Sequence, residues 1–213
     1  MTPATLAMFP LDTVLFPGLA LPLHIFEPRY RTLVADCLRG DRTFGVVLIE
    51  RGHEVGGGET RFQVGTVAQI LQEAPMPDGR WVLLAVGTRR VRIQSWLPDD
   101  PYPLATVADL EDAPPTEDDT DALSRVERLV RRSLALAAEL DEDPVMPSTV
   151  ELVTDPAAAC WQLCAIAPLG RLDQQRLLEA LTVPERLALL EELVAGACEL
   201  LSARLSGGAP DAF

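Results

Sequence analysis

Two histidines, four cysteines and no lysine set the limits on the chemistry open to this chain. All 18 basic residues are arginine. A phosphate-cradling Walker A loop, a Ser–Lys dyad and a lysine Schiff base each need an amine that is missing here. His24 stands between Leu23 and Ile25 and is expected to be a structural histidine, and His53 lies in the glycine-rich stretch RGHEVGGGET and is expected to be solvated. Neither belongs to an H-E-x-x-H or other metal-ligand spacing. Cys160 and Cys164 are four apart, so one helix face presents both. A metal would need further ligands that two distant imidazoles do not supply, and the expectation is reduced, buried thiols. Cys37 and Cys198 fall on apolar helical stripes and have the same expectation. No G-x-S-x-G elbow occurs, and Ser95, Ser124, Ser133 and Ser148 have no evident base. The carboxylates gather at 109–121, 139–143 and 191–192, where solvation accounts for them. No catalytic residue, metal or cofactor is therefore expected.

The net charge of −14 opposes binding to nucleic acid, which requires clustered positive charge. Aromatic residues make up 5%, too few to interleave with basic ones on an RNA-binding sheet. Arg89, Arg90 and Arg92, and the set Arg125, Arg128, Arg131 and Arg132, are expected on solvated faces that partly neutralise nearby carboxylates. The sharper alternative for them is a patch for an acidic peptide segment. No apolar run reaches the ~18 residues of a membrane span, and no basic region precedes an apolar one at the N-terminus. A cytoplasmic protein without membrane contact is expected.

These residues must be held by two kinds of element. Residues 1–112 read as β-rich, with strands at 43–50, 62–72, 80–88, 89–97 and 102–110. Val91, Ile93 and Ser95 alternate with Arg90, Arg92 and Gln94 as in a half-exposed strand. Pro77-Asp78-Gly79 marks a hairpin turn, and Gly65 and Gly87 mark bulges or bends of a small coiled barrel. The opening stretch FPLDTVLFPGLALPLHIFEPRYRTLV is apolar enough for a core, yet Pro10, Pro17, Pro22 and Pro28 interrupt it. Pro28 suits the first turn of a helix whose stripe is Tyr30, Leu33, Val34, Cys37 and Leu38, with Gly40 as its C-cap.

Residues 113–121 read as an acidic linker, 122–206 as a helical bundle and 207–213 as a flexible tail. In the bundle, Val126, Leu129, Val130, Leu134 and Ala137 form one stripe. A second helix starts near Pro156, and Asp173 caps a short third one. Thr182 and Glu185 form a capping box for the last helix, whose stripe runs from Leu187 to Leu205. Leu189, Leu193 and Leu200 widen its apolar arc beyond what one core needs, so either this helix is central in its bundle or part of it docks elsewhere, as in self-association.

The first segment, then FGVVLIE, VGTVAQI, PDGRWVLLAVGTRRVRI and PYPLATVADLED, resemble in order the N-terminal substrate-binding domain of Lon proteases. The resemblance implies an α+β fold: a PUA-like β-barrel with one inserted helix, followed by an α-helical bundle. It also implies a standalone bacterial member, without ATPase or peptidase modules. The function it implies is a non-catalytic, proteolysis-related adaptor that binds unfolded or exposed hydrophobic polypeptide, alone or beside a separate protease. Candidate peptide-binding residues are Phe26, Tyr30, Met76 and Trp81, each of which could equally be core. Glu27 with Arg29 or Arg31 is expected to fix the helix start. The alternatives are an enzyme with an unrecognised carboxylate or cysteine site, and a PUA-type RNA-binding protein.

Overall fold

Each proline of the opening stretch lies where a missing backbone N–H costs little. In the computed structural model, which describes residues 4–51, 60–113, 117–140 and 151–207, Pro10 belongs to strand β1 (Ala4–Leu11). β1 pairs antiparallel with β6 (Leu104–Asp109) through residues 4–7 and parallel with β3 (Thr43–Arg51) through residues 8–11, so Pro10 lies in the half with a neighbour on one side alone. Pro17 and Gly18 form a turn: Leu19 N donates to Phe16 O at 3.2 Å and Gly18 has φ +78°. Proline followed by a positive-φ glycine is the signature of a type II turn.

Pro22 lies on β2 (Ala20–Ile25), an edge strand paired with β5 (Trp81–Leu97). Gly87 N donates to Leu19 O at 2.9 Å. Counting from that bond, alternate residues 21, 23 and 25 face β5, so Pro22 turns toward the open edge and blunts it. Pro28 opens helix α1 (Pro28–Arg39).

Strand β4 (Thr60–Pro75) lies between β3 and β5. The pairings run β5–β4–β3–β1–β6 and return to β5. The segments expected as two strands at 80–88 and 89–97 are one strand of 17 residues. Its first part pairs with β2 and its last part with β6, while β4 follows its other edge. Between these parts the register with β4 shifts beside Gly87. There Arg90, expected on an exposed face, is only 2% exposed, because β5 is changing partners at that point.

One core of this unit lies under α1 and includes Phe9, Tyr30, Leu33, Phe44, Ile70 and Leu83. A second, formed by Met8, Val47, Val67, Val91, Ile93 and Val107, fills the other end. Gly40 N caps α1 by donating to Asp36 O and Cys37 O at 3.2 and 3.1 Å, but the left-handed residue is Arg42, with φ 62°. α1 is further tied down by Tyr102, whose hydroxyl donates to Asp36 Oδ2 at 2.8 Å, and by Cys37 Sγ, which donates to Thr43 O at 3.1 Å.

Burial, with Asp41 and Asp36 nearby, pushes the Cys37 thiol up to about 12. Burial and the Asp36 bond push the Tyr102 hydroxyl up to about 12. Both folded values are raised, so both groups favour the fold below their unfolded values near 9.0 and 10.0, and that stability is lost as pH rises toward 12. The native protein should therefore resist thiol labelling at Cys37 at pH ~9, and this unit should lose stability as the hydroxyl ionises. Labelling at the rate of a free thiol would show that the α1 end is open.

The chain divides into two units, Met1–Glu111 and Asp112–Phe213. The second contains α2 (Glu117–Glu139), α3 (Pro156–Ile166), α4 (Arg171–Glu179) and α5 (Val183–Gly207). α2 starts inside the stretch expected as linker, and Asp119 in its first turn is 3% exposed. α3 is buried nearly all round, through Ala159, Cys160, Trp161, Leu163, Cys164 and Ile166. It is capped by Asp155, whose side chain accepts from Ala158 N. Asp173 is not a cap: Gly170 precedes α4, and Asp173 pairs with Arg176 at 3.0 Å. Glu185 N donates to Thr182 Oγ1 at 3.3 Å, while Glu185 Oε2 accepts from Leu181 N at 3.1 Å, one residue earlier than a regular capping box. His53 with the expected loop around it, residues 114–116 of the expected linker, residues 141–150 and the residues from 208 lie outside the described residues.

Candidate functional site

The turn from β2 into α1 separates two concavities of the first unit. Ile25 ends β2, Glu27 is extended at φ −67° and ψ 137°, and Pro28 starts the helix. Phe26 is thereby turned outward and is 52% exposed. It borders a hollow of about 200 Å³ with Phe9, Leu11, Leu23, Ile25 and Tyr30. On the other side, Pro28, Arg31, Thr32 and Ala35 form one face of α1 at positions i, i+3, i+4 and i+7. That face meets Pro75, Gly79, Arg80 and Trp81 across a cleft of about 560 Å³.

The four sequence candidates therefore do not form one surface. Phe26 and Tyr30 share the hollow, Trp81 lines the cleft, and Met76 lines neither. Met76 instead closes the hairpin turn: its N donates to Arg80 O at 2.8 Å and its O accepts from Gly79 N at 2.9 Å. Tyr30 is 2% exposed, and its ring centroid lies 4.1 Å from that of Phe9, so it forms the floor of the hollow rather than a contact arm. Arg29 stacks over the Tyr30 ring at 4.5 Å and donates through Nε to Glu27 Oε2 at 3.2 Å, which fixes the helix start.

Arg31 does not share that task. It was legible only as a possible helix-start contact, and in the cleft its guanidinium lies against the hairpin turn opposite. Gly79 has φ +81°, and a Cβ there would collide with the Arg31 guanidinium.

The remaining arginines mostly neutralise carboxylates. Arg89 pairs with Asp109 at 2.8 Å, Arg80 with Asp78 at 2.7 Å, Arg125 with Glu191 at 3.1 Å, and Arg42 with Glu73. Such exposed pairs contribute little stability, but they do reduce the positive charge on offer. His24, expected to be structural, is exposed on β2 beside the hollow, because it alternates with the inward Leu23 and Ile25. All four cysteines are free and buried, and Cys160 and His24 belong to different units. Among the described residues no group of three or more His, Cys, Asp or Glu converges on a metal position, and no helix is long and apolar enough to cross a membrane.

The arrangement offers apolar and aromatic concavities rather than a nucleophile with a base. Known proteins supply a family for this arrangement. Residues 5–196 match the family described as the ATP-dependent protease La (LON) substrate-binding domain. The chain is 37% identical over 115 residues to a Lon protease of Cytophaga hutchinsonii, covering 53% of this chain and 14% of that protein. It is 28% identical over 203 residues to a Lon protease of Anaeromyxobacter dehalogenans, covering 93% of this chain and 24% of the relative. The chain thus spans at most about a quarter of the length of these relatives. Among solved structures it is similar to a Lon N-terminal domain protein from Xanthomonas campestris, with TM-score 0.64 and 29% identity over 90% of this chain and 98% of that one. The N-terminal domain of a Mycobacterium avium complex Lon protease, at 19% identity and TM-score 0.66, covers the same shares and shows the fold.

Proposed function

Because the chain belongs to the ATP-dependent protease La (LON) substrate-binding domain family, we propose that its first unit binds exposed hydrophobic segments of unfolded polypeptides without cleaving them. The observation that carries this reading is Phe26, 52% exposed at the rim of a hollow floored by Phe9 and Tyr30. A large apolar side chain held out beside a hollow with an aromatic floor, rimmed also by His24 and Glu27, is the surface on which this reading rests. A client aromatic seated there would bury enough area for about 2 kcal/mol. Pro22 bears on how the client binds: it removes an outward donor from the β2 edge, so side-chain capture is favoured over the addition of a strand.

We read the ring of pairings through β5 as a PUA-like barrel whose role here is to hold the β2–α1 junction. The all-arginine, ion-paired surface and the charge of −14 favour a polypeptide over RNA. The absence of lysine favours a binder over an enzyme. The setting consistent with this is the cytoplasm, acting as an adaptor for a protease. Leu189, Leu193 and Leu200 form a narrow row on α5, with Leu200 69% exposed, which supports contact with a second copy.

Fluorescence anisotropy with labelled α-lactalbumin, reduced and alkylated so that it stays unfolded, tests the proposal. Saturable binding that native α-lactalbumin does not share is expected, with the client recovered intact. Phe26→Ala should weaken binding by about tenfold while leaving the melting temperature in place. No saturable binding, or cleavage of the client, would overturn the reading.

A further inference from the structure

We propose that the cleft between α1 and the β4–β5 turn recognises a carboxylate on the bound polypeptide. Arg31 would take the carboxylate, and Trp81 with Pro28 and Pro75 the neighbouring apolar side chain. This inference rests on the polypeptide-binding reading above and specifies the chemistry of its client.

The first support is the pattern of ion pairs. Arg29 is matched by Glu27, Arg39 by Asp36, Arg42 by Glu73 and Arg80 by Asp78. Arg31 stands among them on the same helix and the same cleft, and its guanidinium has no hydrogen bond or ion pair among the described residues. A half-buried guanidinium in an apolar-walled cleft gains more from an incoming anion than one already paired in solvent.

The second support is that the Arg31 guanidinium lies against the turn at 76–80, where Gly79 has φ +81° and leaves it room. Its planar fork suits a bidentate carboxylate.

The third is the composition of the cleft. Its two cations are Arg31 and Arg80, and Asp78 neutralises the latter. One uncompensated positive charge therefore remains, flanked by an indole and two prolines. The net charge of −14 repels acidic clients at a distance, but that repulsion is screened within about 8 Å at physiological salt, whereas a contact pair is not. The complementary segment is a peptide with Asp, Glu or a terminal carboxylate next to an apolar residue.

The test uses short labelled peptides with one Leu-Asp step in a Gly-Ser background, and counterparts carrying Leu-Asn or Leu-phosphoserine. In the intact chain the Asp peptide is expected to bind about tenfold tighter than the Asn peptide, an advantage that shrinks with added salt. Arg31→Gln should bring the Asp peptide down to the Asn level, and Arg31→Lys should restore part of the difference. If the Asp and Asn peptides bind the wild-type chain equally, the inference is overturned without recourse to any variant. It is also overturned if Arg31→Gln leaves their ratio unchanged. A phosphoserine peptide that alone depends on Arg31 would replace the carboxylate with phosphate as the ligand. Failure of every peptide and of unfolded α-lactalbumin would instead sink the polypeptide-binding reading itself.

Discussion

Replacing Arg186 with alanine should destabilise the helical unit by about 3 kcal/mol, because it empties a fully buried site and removes a donor from a carboxylate and two carbonyls at once. The side chain is fully buried. Its Nη2 donates to Asp112 Oδ1 at 2.6 Å and to Ala180 O at 3.0 Å, its Nε donates to Leu177 O at 3.3 Å, and the guanidinium lies 3.5 Å over the Trp161 ring. The two carbonyls are at the C-terminal end of α4, so a residue from the first turn of α5 acts as a cap of the preceding helix.

The relative size of these contacts decides the estimate. Asp112 is 25% exposed at its side chain and can turn to water once the arginine is gone, so its share of the loss is modest. The Leu177 carbonyl, beside a fully buried side chain, cannot, and an acceptor left unsatisfied costs about 1–3 kcal/mol. Arg186→Lys should recover only part of the loss, because one ammonium cannot reach Asp112 and both carbonyls while covering an indole. Hydrogen exchange of the α3, α4 and α5 amides in the full chain reads the effect on this unit. Unchanged protection in Arg186→Ala would mean that the helices hold together without this tie.

Nothing in the sequence marked Arg186. The Thr182 and Glu185 signal showed where α5 begins, and Arg186 was simply the next residue along a helix whose apolar stripe had drawn attention. Local rules place a residue on a face but do not say which distant carbonyl it meets. The same limit hid the partner change of β5. Alternation correctly put Val91 and Ile93 inside, but burial of Arg90 depends on β2 leaving and β6 arriving on the same edge. His24 failed in the opposite direction: its apolar neighbours suggested an interior position, yet on a strand neighbours point the other way.

What did survive rests on backbone chemistry. Pro28 at the start of α1, the Pro77–Gly79 turn and the stripe from Tyr30 to Cys37 are short-range constraints, and each was legible from residue type and spacing. The candidate site was half legible for the same reason. Phe26 and Trp81 stood out as large apolar residues, but the division into hollow and cleft depends on how α1 leaves β2. That departure also turns Arg31 toward a turn far along the chain.

Gly87→Ala should cost on the order of 3 kcal/mol, as should Gly65→Ala, whose Cβ would meet the Val46 carbonyl oxygen. A Cβ at Gly87 would overlap the carbonyl oxygen of Phe16, which is backbone and cannot swing aside as a side-chain tip can. That carbonyl belongs to the Phe16–Leu19 turn, itself docked on Gly87 through Gly18 N to Gly87 O at 2.8 Å and Gly87 N to Leu19 O at 2.9 Å. The added methyl therefore strikes the segment that delivers the chain into β2, and with it the β2–α1 junction that carries Phe26. Two other glycines separate steric overlap from the general effects of adding a Cβ. Gly18 has open space around its Cβ position but φ +78°, so Gly18→Ala should cost about 1 kcal/mol through backbone strain alone. Gly196 lies within α5 with open space and no positive φ, so Gly196→Ala should stabilise by up to about 1 kcal/mol. Denaturant melts of the three variants should rank Gly196→Ala above wild type, Gly18→Ala slightly below it and Gly87→Ala far below. If Gly87→Ala melts beside Gly18→Ala, the turn yields to the methyl, and the close approach of Phe16 is not what secures β2.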